Sequence, residues 1–164
     1  APPYAYTNGA TATVTADAIT GAGDATLFSS VNASGAFVVD IEELYRATSV
    51  DRIGMIGASI SNSIWFTTLN GNITEANIFS DGTLVTKSGL SISSGKAGIW
   101  WDGTNFRVYH NGSLISTTLS GSPLALQEFT LGVEGTSRQT AGRYNSILII
   151  SNPTSDKMIT LTTP

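Results

Sequence analysis

The chain has 164 residues, enough for one domain with a full hydrophobic core and too few for two. Only 12% of the residues are charged, and 8 basic against 12 acidic side chains give a formal net charge of -4. Because no basic stripe is present, nucleic acid is not an expected partner. The absence of cysteine excludes disulfides and thiolate zinc sites.

The ends of the chain carry few structural signals. The first residues lack the basic and apolar regions of a signal peptide, and no apolar run reaches the roughly 18 residues of a membrane span. Membrane insertion is therefore not expected. We predict one β-sandwich domain over 1–164, with 1–9 and 152–164 as loose or edge segments.

Turn-forming pairs divide the sequence into short apolar segments. They stand at Asn70-Gly71, Asp81-Gly82, Asp102-Gly103 and Asn111-Gly112, and such pairs between alternating segments are a strong hairpin signal. The pattern predicts short strands without a convincing amphipathic helix, which indicates an all-β, two-sheet antiparallel jelly-roll sandwich. The strands are predicted near residues 10–19, 25–32, 35–42, 51–57, 62–69, 73–80, 83–88, 96–101, 105–110, 113–118, 127–134 and 142–151.

Large apolar residues in these segments predict the core. Ile78 and Phe79 are neighbours, so a regular strand can direct only one of them inward. The candidates are Ile53, Ile56, Ile64, Phe66, Ile78, Phe79, Ile99, Trp101, Phe106, Val108, Ile115, Phe129, Leu131, Ile147 and Ile149.

The stretch AGIWWDGTNFRVYHNGSLIS, residues 97–116, contains two adjacent tryptophans. Successive residues of a strand point to opposite faces, so Trp101 is predicted to share the core face of Phe106. Trp100 then falls on the other face, together with Arg107 and Tyr109.

An aromatic side chain beside a guanidinium can stack on a sugar ring and bind its hydroxyl groups. The predicted ligand-binding residues are Trp100, Arg107 and Tyr109, with Asp102 and Asn105 of the adjoining turn. The alternative is that a loop layer or a neighbouring subunit covers this face. No cofactor is predicted, and Ca²⁺ at the loop aspartates is kept as the alternative.

The stretch VVDIEE, residues 38–43, resembles part of the Glu-x-Asp-x-Glu strand of laminarinase-like glycoside hydrolases. Retaining hydrolysis needs a nucleophilic carboxylate and an acid/base carboxyl group. Val38 stands at the position of the nucleophile, while Asp40 and Glu42 match the other two positions. No enzyme activity is therefore predicted, and both acidic residues are interpreted as solvated.

Residues 108–115, VYHNGSLI, resemble a hairpin of laminin-G-like, concanavalin A-like jelly-roll domains. Leu131-Gly132 and residues 142–150 fit the two strands that follow in that family, and the resemblance covers about residues 25 to 160. It implies the jelly-roll fold and a glycan- or protein-binding role.

The Ser/Thr/Gly/Asn-rich, cysteine-free composition looks like the versions of this domain in bacteriophage tail, fibre and capsid-decoration proteins. That resemblance implies a non-catalytic adhesion or decoration module on a virion surface or in an extracellular setting. The expected partners are a glycan or host-surface receptor, other virion proteins, or a second copy of the chain. A purely structural virion subunit is the alternative, followed by a glycan-cleaving enzyme.

Overall fold

The computed structural model describes residues 25–45, 50–57, 62–80, 82–121, 126–131 and 142–164, with only the backbone given for 25–27, 55–57 and 127–131. Within these ranges, strands form two antiparallel sheets and two short helices flank them. The predicted all-β antiparallel sandwich is confirmed.

Along the chain, the strands lie between the two helices. Their bounds are α1 (Ala25–Asn32), β1 (Gly35–Leu44), β2 (Asp51–Gly57), β3 (Asn62–Leu69), β4 (Asn72–Ser80), β5 (Thr83–Lys87), β6 (Gly95–Trp101), β7 (Asn105–His110), β8 (Ser113–Leu114), β9 (Leu119–Ser120), β10 (Leu126–Leu131), β11 (Gly142–Ser151) and α2 (Ser155–Thr162).

Sheet A has the strand order β10-β2-β3-β4-β5, and sheet B has the order β11-β1-β6-β7-β8, with β9 also paired to β7. Most predicted strands are present within a few residues of their predicted bounds. The strand predicted near 113–118 is reduced to β8. The one predicted near 10–19 lies outside the described residues.

Two tight turns explain the predicted hairpins. Asn70 and Gly71 have φ angles of 53° and 76°, and Asn111 and Gly112 have 45° and 76°. Positive φ at both central residues is the requirement of the type I′ turn, which Asn-Gly meets at low steric cost. These turns join β3 to β4 and β7 to β8.

The main core lies between the two sheets, where the rings of Phe37 and Phe66 meet with centroids 5.9 Å apart. Phe79 points away from the core because its neighbour Ile78 points inward, so its place in the predicted core is wrong. The side chains of Ile56, Phe129 and Leu131 lie outside the described residues. The confirmed buried members are Ile53, Ile64, Phe66, Ile78, Ile99, Trp101, Phe106 and Val108, with Ile115, Ile147 and Ile149 partly buried around them.

The strand predicted near 25–32 is wrong, since this segment forms α1. Phe28 and Val31 are three residues apart, which places them on one side of a helix, and both are buried in the core. The backbone carbonyl of Val31 also accepts a 2.7 Å hydrogen bond from Nε1 of Trp101. Burial of this face therefore overrides the local preference for a strand.

The C-terminal segment differs from the predicted loose or edge strand, because residues 155–162 form α2 on the outside of sheet B. Thr154 caps the helix by accepting a 3.2 Å hydrogen bond from the backbone N–H of Lys157, and Asp156 lies in the first turn. Met158 and Thr162 are buried against the sheet. Neither described helix has the length and apolar character needed to cross a membrane.

Candidate functional site

The two adjacent tryptophans of β6 point to opposite faces, as predicted. Trp101 is fully buried in the main core, packed so closely over Gly35 that an added Cβ would lie 2.6 Å from the indole. Trp100 is paired with Arg107 on the outer face of sheet B, and the Arg107 guanidinium carbon lies 5.0 Å from the Trp100 ring centroid.

Helix α2 covers this outer face. Trp100 is only 8% exposed and Tyr109 is fully buried. The indole N–H of Trp100 donates to the carbonyl oxygen of Pro153 at 2.8 Å, and the Tyr109 hydroxyl lies 3.0 Å from that of Ser155. The structure thus brings Trp100, Arg107 and Tyr109 together as predicted, and the segment that leads into α2 packs over them, as the alternative of a covering layer expected. Ligand binding at these residues stays a prediction.

Gly98 explains how α2 comes so close to the sheet. A Cβ at this position would lie 3.0 Å from the Met158 methyl group and 3.1 Å from the Thr162 methyl group. The glycine lies between Val38 of β1 and Tyr109 of β7 on what we call the capped face, formed by Ala36, Val38, Trp100 and Tyr109 beneath α2. The small residue leaves space for the helix.

Asp102 and Asn105 form the turn between β6 and β7. One carboxylate oxygen of Asp102 accepts from the backbone N–H groups of Thr104 and Asn105, at 3.4 and 3.0 Å, and from the Asn105 amide at 3.3 Å. These bonds stabilise the turn itself. In the described ranges no three His, Asp or Glu side chains are grouped as a metal site, and Asp81 lies outside those ranges.

The three residues that match the hydrolase strand motif lie in different environments. Val38 is buried on the capped face. Asp40 accepts a 3.2 Å hydrogen bond from the Asn145 amide, and Glu42 is exposed with a 3.4 Å ion pair to Arg143. Asp40 and Glu42 thus occupy a polar outer surface, as interpreted from the sequence.

A second tryptophan–arginine pair lies on the outer face of sheet A and was missed by the sequence analysis. The guanidinium carbon of Arg52 lies 4.4 Å from the Trp65 ring centroid. Trp65 is 6% exposed, while Arg52 is half-buried. Arg52 therefore forms the outward surface of this stacked pair.

Polar side chains continue from Trp65 across β4 to β5. The Thr67 hydroxyl oxygen accepts from the Trp65 indole N–H at 3.1 Å and from the Asn77 amide at 2.9 Å. The Thr86 hydroxyl donates to the Asn77 carbonyl oxygen at 2.7 Å. We call this set, with Arg52, the Trp65 face.

The two threonine hydroxyl groups on the Trp65 face use only part of their hydrogen-bonding capacity. A hydroxyl group has one hydrogen and two lone pairs. Thr67 uses both lone pairs, and no acceptor for its hydrogen is found among the described residues. Thr67 is only 7% exposed, whereas half-buried Thr86 uses its hydrogen and keeps its lone pairs, so the face offers an acceptor and a guanidinium beside an indole.

Strand parity could have identified Trp65, because Ile64 and Phe66 on either side point into the core. The residue opposite Trp65 on β2 is Gly54, where a Cβ would lie 2.5 Å from the Trp65 Cβ. The missing side chain at Gly54 leaves room for Trp65 on the adjacent strand. Recognising this pair requires the pairing register of β2 and β3, which the sequence alone does not give.

No family model matches this sequence, and no curated protein matches it. Among solved structures, the fold is similar to that of the Ruminococcus gnavus IT-sialidase CBM40 bound to α2,3 sialyllactose. The two chains are 12% identical, with a TM-score of 0.63 over 83% of this chain and 85% of that one. This likeness shows a shared β-sandwich fold.

Proposed function

We propose that this chain is a non-catalytic carbohydrate-binding module and that its ligand contacts the Trp65 face. The observation that carries the proposal is the Arg52 guanidinium stacked 4.4 Å from the Trp65 ring, next to the hydrogen-bonding side chains of Thr67 and Thr86. Sugars combine apolar ring faces with hydroxyl edges, and this arrangement complements both. The similar sandwich of the sialidase CBM40, solved with a bound sugar, supports the same class of function.

The two tryptophans are covered to a similar degree, with Trp100 8% and Trp65 6% exposed, and Arg52 and Arg107 are both half-buried, so the two outer faces differ in what packs on them. Each carries a tryptophan–arginine pair, but α2 packs on the one that contains Trp100. On the Trp65 face, Arg52 and Thr86 are half-buried, and Leu84 of the adjoining edge strand is 54% exposed. The Trp65 face is therefore the better candidate for ligand contact.

The stacked pair suggests how a ligand is held. Because Trp65 is almost covered, a sugar first meets the plane of the Arg52 guanidinium, whose N–H groups lie along the edge of that plane. An N–H group at the outward edge can donate to a sugar hydroxyl, and a carboxylate on the sugar would make that bond charge-assisted. The indole beneath holds the guanidinium in place.

Matched substitutions test the proposal. A glycan array identifies a ligand, and calorimetry then measures its affinity for Arg52→Gln and for the control Arg107→Gln. We expect Arg52→Gln to weaken binding about tenfold or more, a loss of about 1.4 kcal/mol, while Arg107→Gln leaves binding unchanged.

Two outcomes would contradict this assignment. Loss of binding in Arg107→Gln alone would assign the ligand to the predicted site of Trp100, Arg107 and Tyr109, and α2 would then have to move away. Failure of the wild-type chain to bind any glycan on an array that includes bacterial surface polysaccharides would reject the carbohydrate-binding role.

We also propose the location that the sequence resemblance implies. A charge-poor, cysteine-free module suits adhesion at a virion surface or outside the cell, with a host-surface glycan or other virion proteins as partners. A purely structural virion subunit is the alternative and predicts assembly contacts without glycan binding. A hydrolase is disfavoured because Val38, at the position of the nucleophile, is buried under α2.

A further inference from the structure

Strand β11 is the terminal strand of sheet B among the strands that the structure describes. It has 10 residues, and its side chains are unusually exposed for an apolar strand. Leu148 is 40% exposed on the outer face, and Ile150 beside it is half-buried. Ile147 and Ile149 point toward the core but are only partly buried. Apolar surface therefore remains exposed on both faces of β11, although α1 packs against part of this strand.

Edge strands are usually protected from pairing with other chains by charges, proline or bulges. Residues 144–151 of β11 contain neither a charged residue nor proline. Arg143 precedes them and is held by its own chain, with Nη2 2.7 Å from a carboxylate oxygen of Glu43. The register shift with β1 also lies at this end, near Asp40 and Ile41. The stretch from Ser146 to Ser151 remains regular and uncharged.

We propose that β11 pairs in antiparallel register with β11 of a second copy of this chain. Residues directly opposite each other in an antiparallel pair share a face, so a register that keeps both cores on one side pairs residues of equal parity. Centring the two-fold axis on Leu148 places Ile147 opposite Ile149 of the partner subunit. Ser146 then lies opposite Ile150 of the partner subunit.

This arrangement suits the exposed side chains. The half-buried isoleucines of one copy cover those of the other, and the two Leu148 side chains meet at the axis. Because the paired stretch is uncharged, the two-fold symmetry brings no like charges together. An antiparallel pair would add backbone hydrogen bonds along β11. The inference does not depend on carbohydrate binding, although a dimer would present two copies of any ligand face.

The absence of cysteine allows a register-specific test. Leu148→Cys places one thiol of each copy directly across the axis, within reach of a disulfide. Ser146→Cys is the matched control, because it lies on the same face of β11 and meets Ile150 of the partner subunit. Mild oxidation should give a covalent dimer of Leu148→Cys, little of Ser146→Cys, and a dimer again when Ser146→Cys is combined with Ile150→Cys.

Light scattering after size exclusion provides the second measurement. The wild-type chain should show a concentration-dependent dimer, and Leu148→Lys should be monomeric, with a thermal midpoint equal to that of the wild type at concentrations where the wild type is also monomeric. Leu84→Lys, at an exposed leucine of edge strand β5, should dimerise like the wild type. A monomeric wild type at all soluble concentrations, or equal cross-linking of Ser146→Cys and Leu148→Cys, would overturn the proposal. Either result would mean that β11 does not pair with a second copy and that another segment or another protein contacts this strand.

Discussion

Tyr144 carries a hydroxyl group that is buried without a hydrogen-bond partner among the described residues. Burial raises the pKa of this phenol well above its usual value, and the negative charge of Asp51 raises the pKa further. A buried hydroxyl without a partner loses its hydration and gains nothing in return. Tyr144 is therefore a position where the native residue costs stability.

Tyr144→Phe should increase the free energy of unfolding by about 1 kcal/mol, because it removes the desolvated hydroxyl. Above pH 10.0, the ordinary pKa of tyrosine, the unfolded chain releases this proton while the folded chain keeps it. Titration of Tyr144 therefore leaves the free energy of unfolding unchanged below that pH and lowers it as the pH rises above that value. Urea unfolding on both sides of pH 10.0 should show a shallower decline for Tyr144→Phe than for the wild type. Parallel declines would contradict the burial of Tyr144.

At the scale of elements, strand β6 contributes to two different packing contacts, one on each of its faces. Trp101 fills the core between the sheets, whereas Trp100 fills the smaller contact between sheet B and α2. An eight-residue helix is marginal by itself, so α2 depends on that contact. Neighbouring residues of one strand therefore support different parts of the molecule.

Trp101→Ala should open a core cavity and cost about 3 to 5 kcal/mol of unfolding free energy. Trp100→Ala should cost less, about 1 to 3 kcal/mol, because undocking α2 leaves the main core intact. Hydrogen exchange should show lost protection of the α2 amides in Trp100→Ala while the strands stay protected. Equal destabilisation by the two changes, or an unaffected α2, would contradict the face assignment.

At the scale of the whole molecule, the fold depends on contact between two sheets. Phe37 of β1 and Phe66 of β3 meet across the interface with their rings tilted by 36°. Tilted aromatic pairs contribute about 0.5 to 1.5 kcal/mol beyond the area that they bury. This pair joins parts of the chain that are distant in sequence.

A double-mutant cycle on Phe37→Leu and Phe66→Leu should give a coupling energy of about 0.5 to 1.5 kcal/mol. Phe37→Leu combined with Leu84→Ala is the control, because Leu84 is exposed on the outer face of sheet A. That control pair should be additive within about 0.5 kcal/mol. Additivity of the two phenylalanine changes would show that the sheets are not coupled through these rings.

The sequence by itself determined the sandwich and its strand faces. Asn-Gly pairs accept positive φ at low cost, so the hairpins at Asn70 and Asn111 could be predicted locally. Alternation then placed Trp101 inside and Trp100 outside, because the two-residue period of a strand needs no tertiary information. The same argument would have placed Trp65, although its partner Arg52 lies on another strand.

Only the tertiary structure decided which segments became helices and which outer face α2 covers. Residues 25–32 form a helix because Phe28 and Val31 are buried by strands far along the chain. The cover over Trp100 comes from Pro153, 53 residues away, and its approach depends on the space above Gly98. Short helices take their stability from packing rather than from propensity, so no local pattern could assign α2 to the predicted aromatic platform.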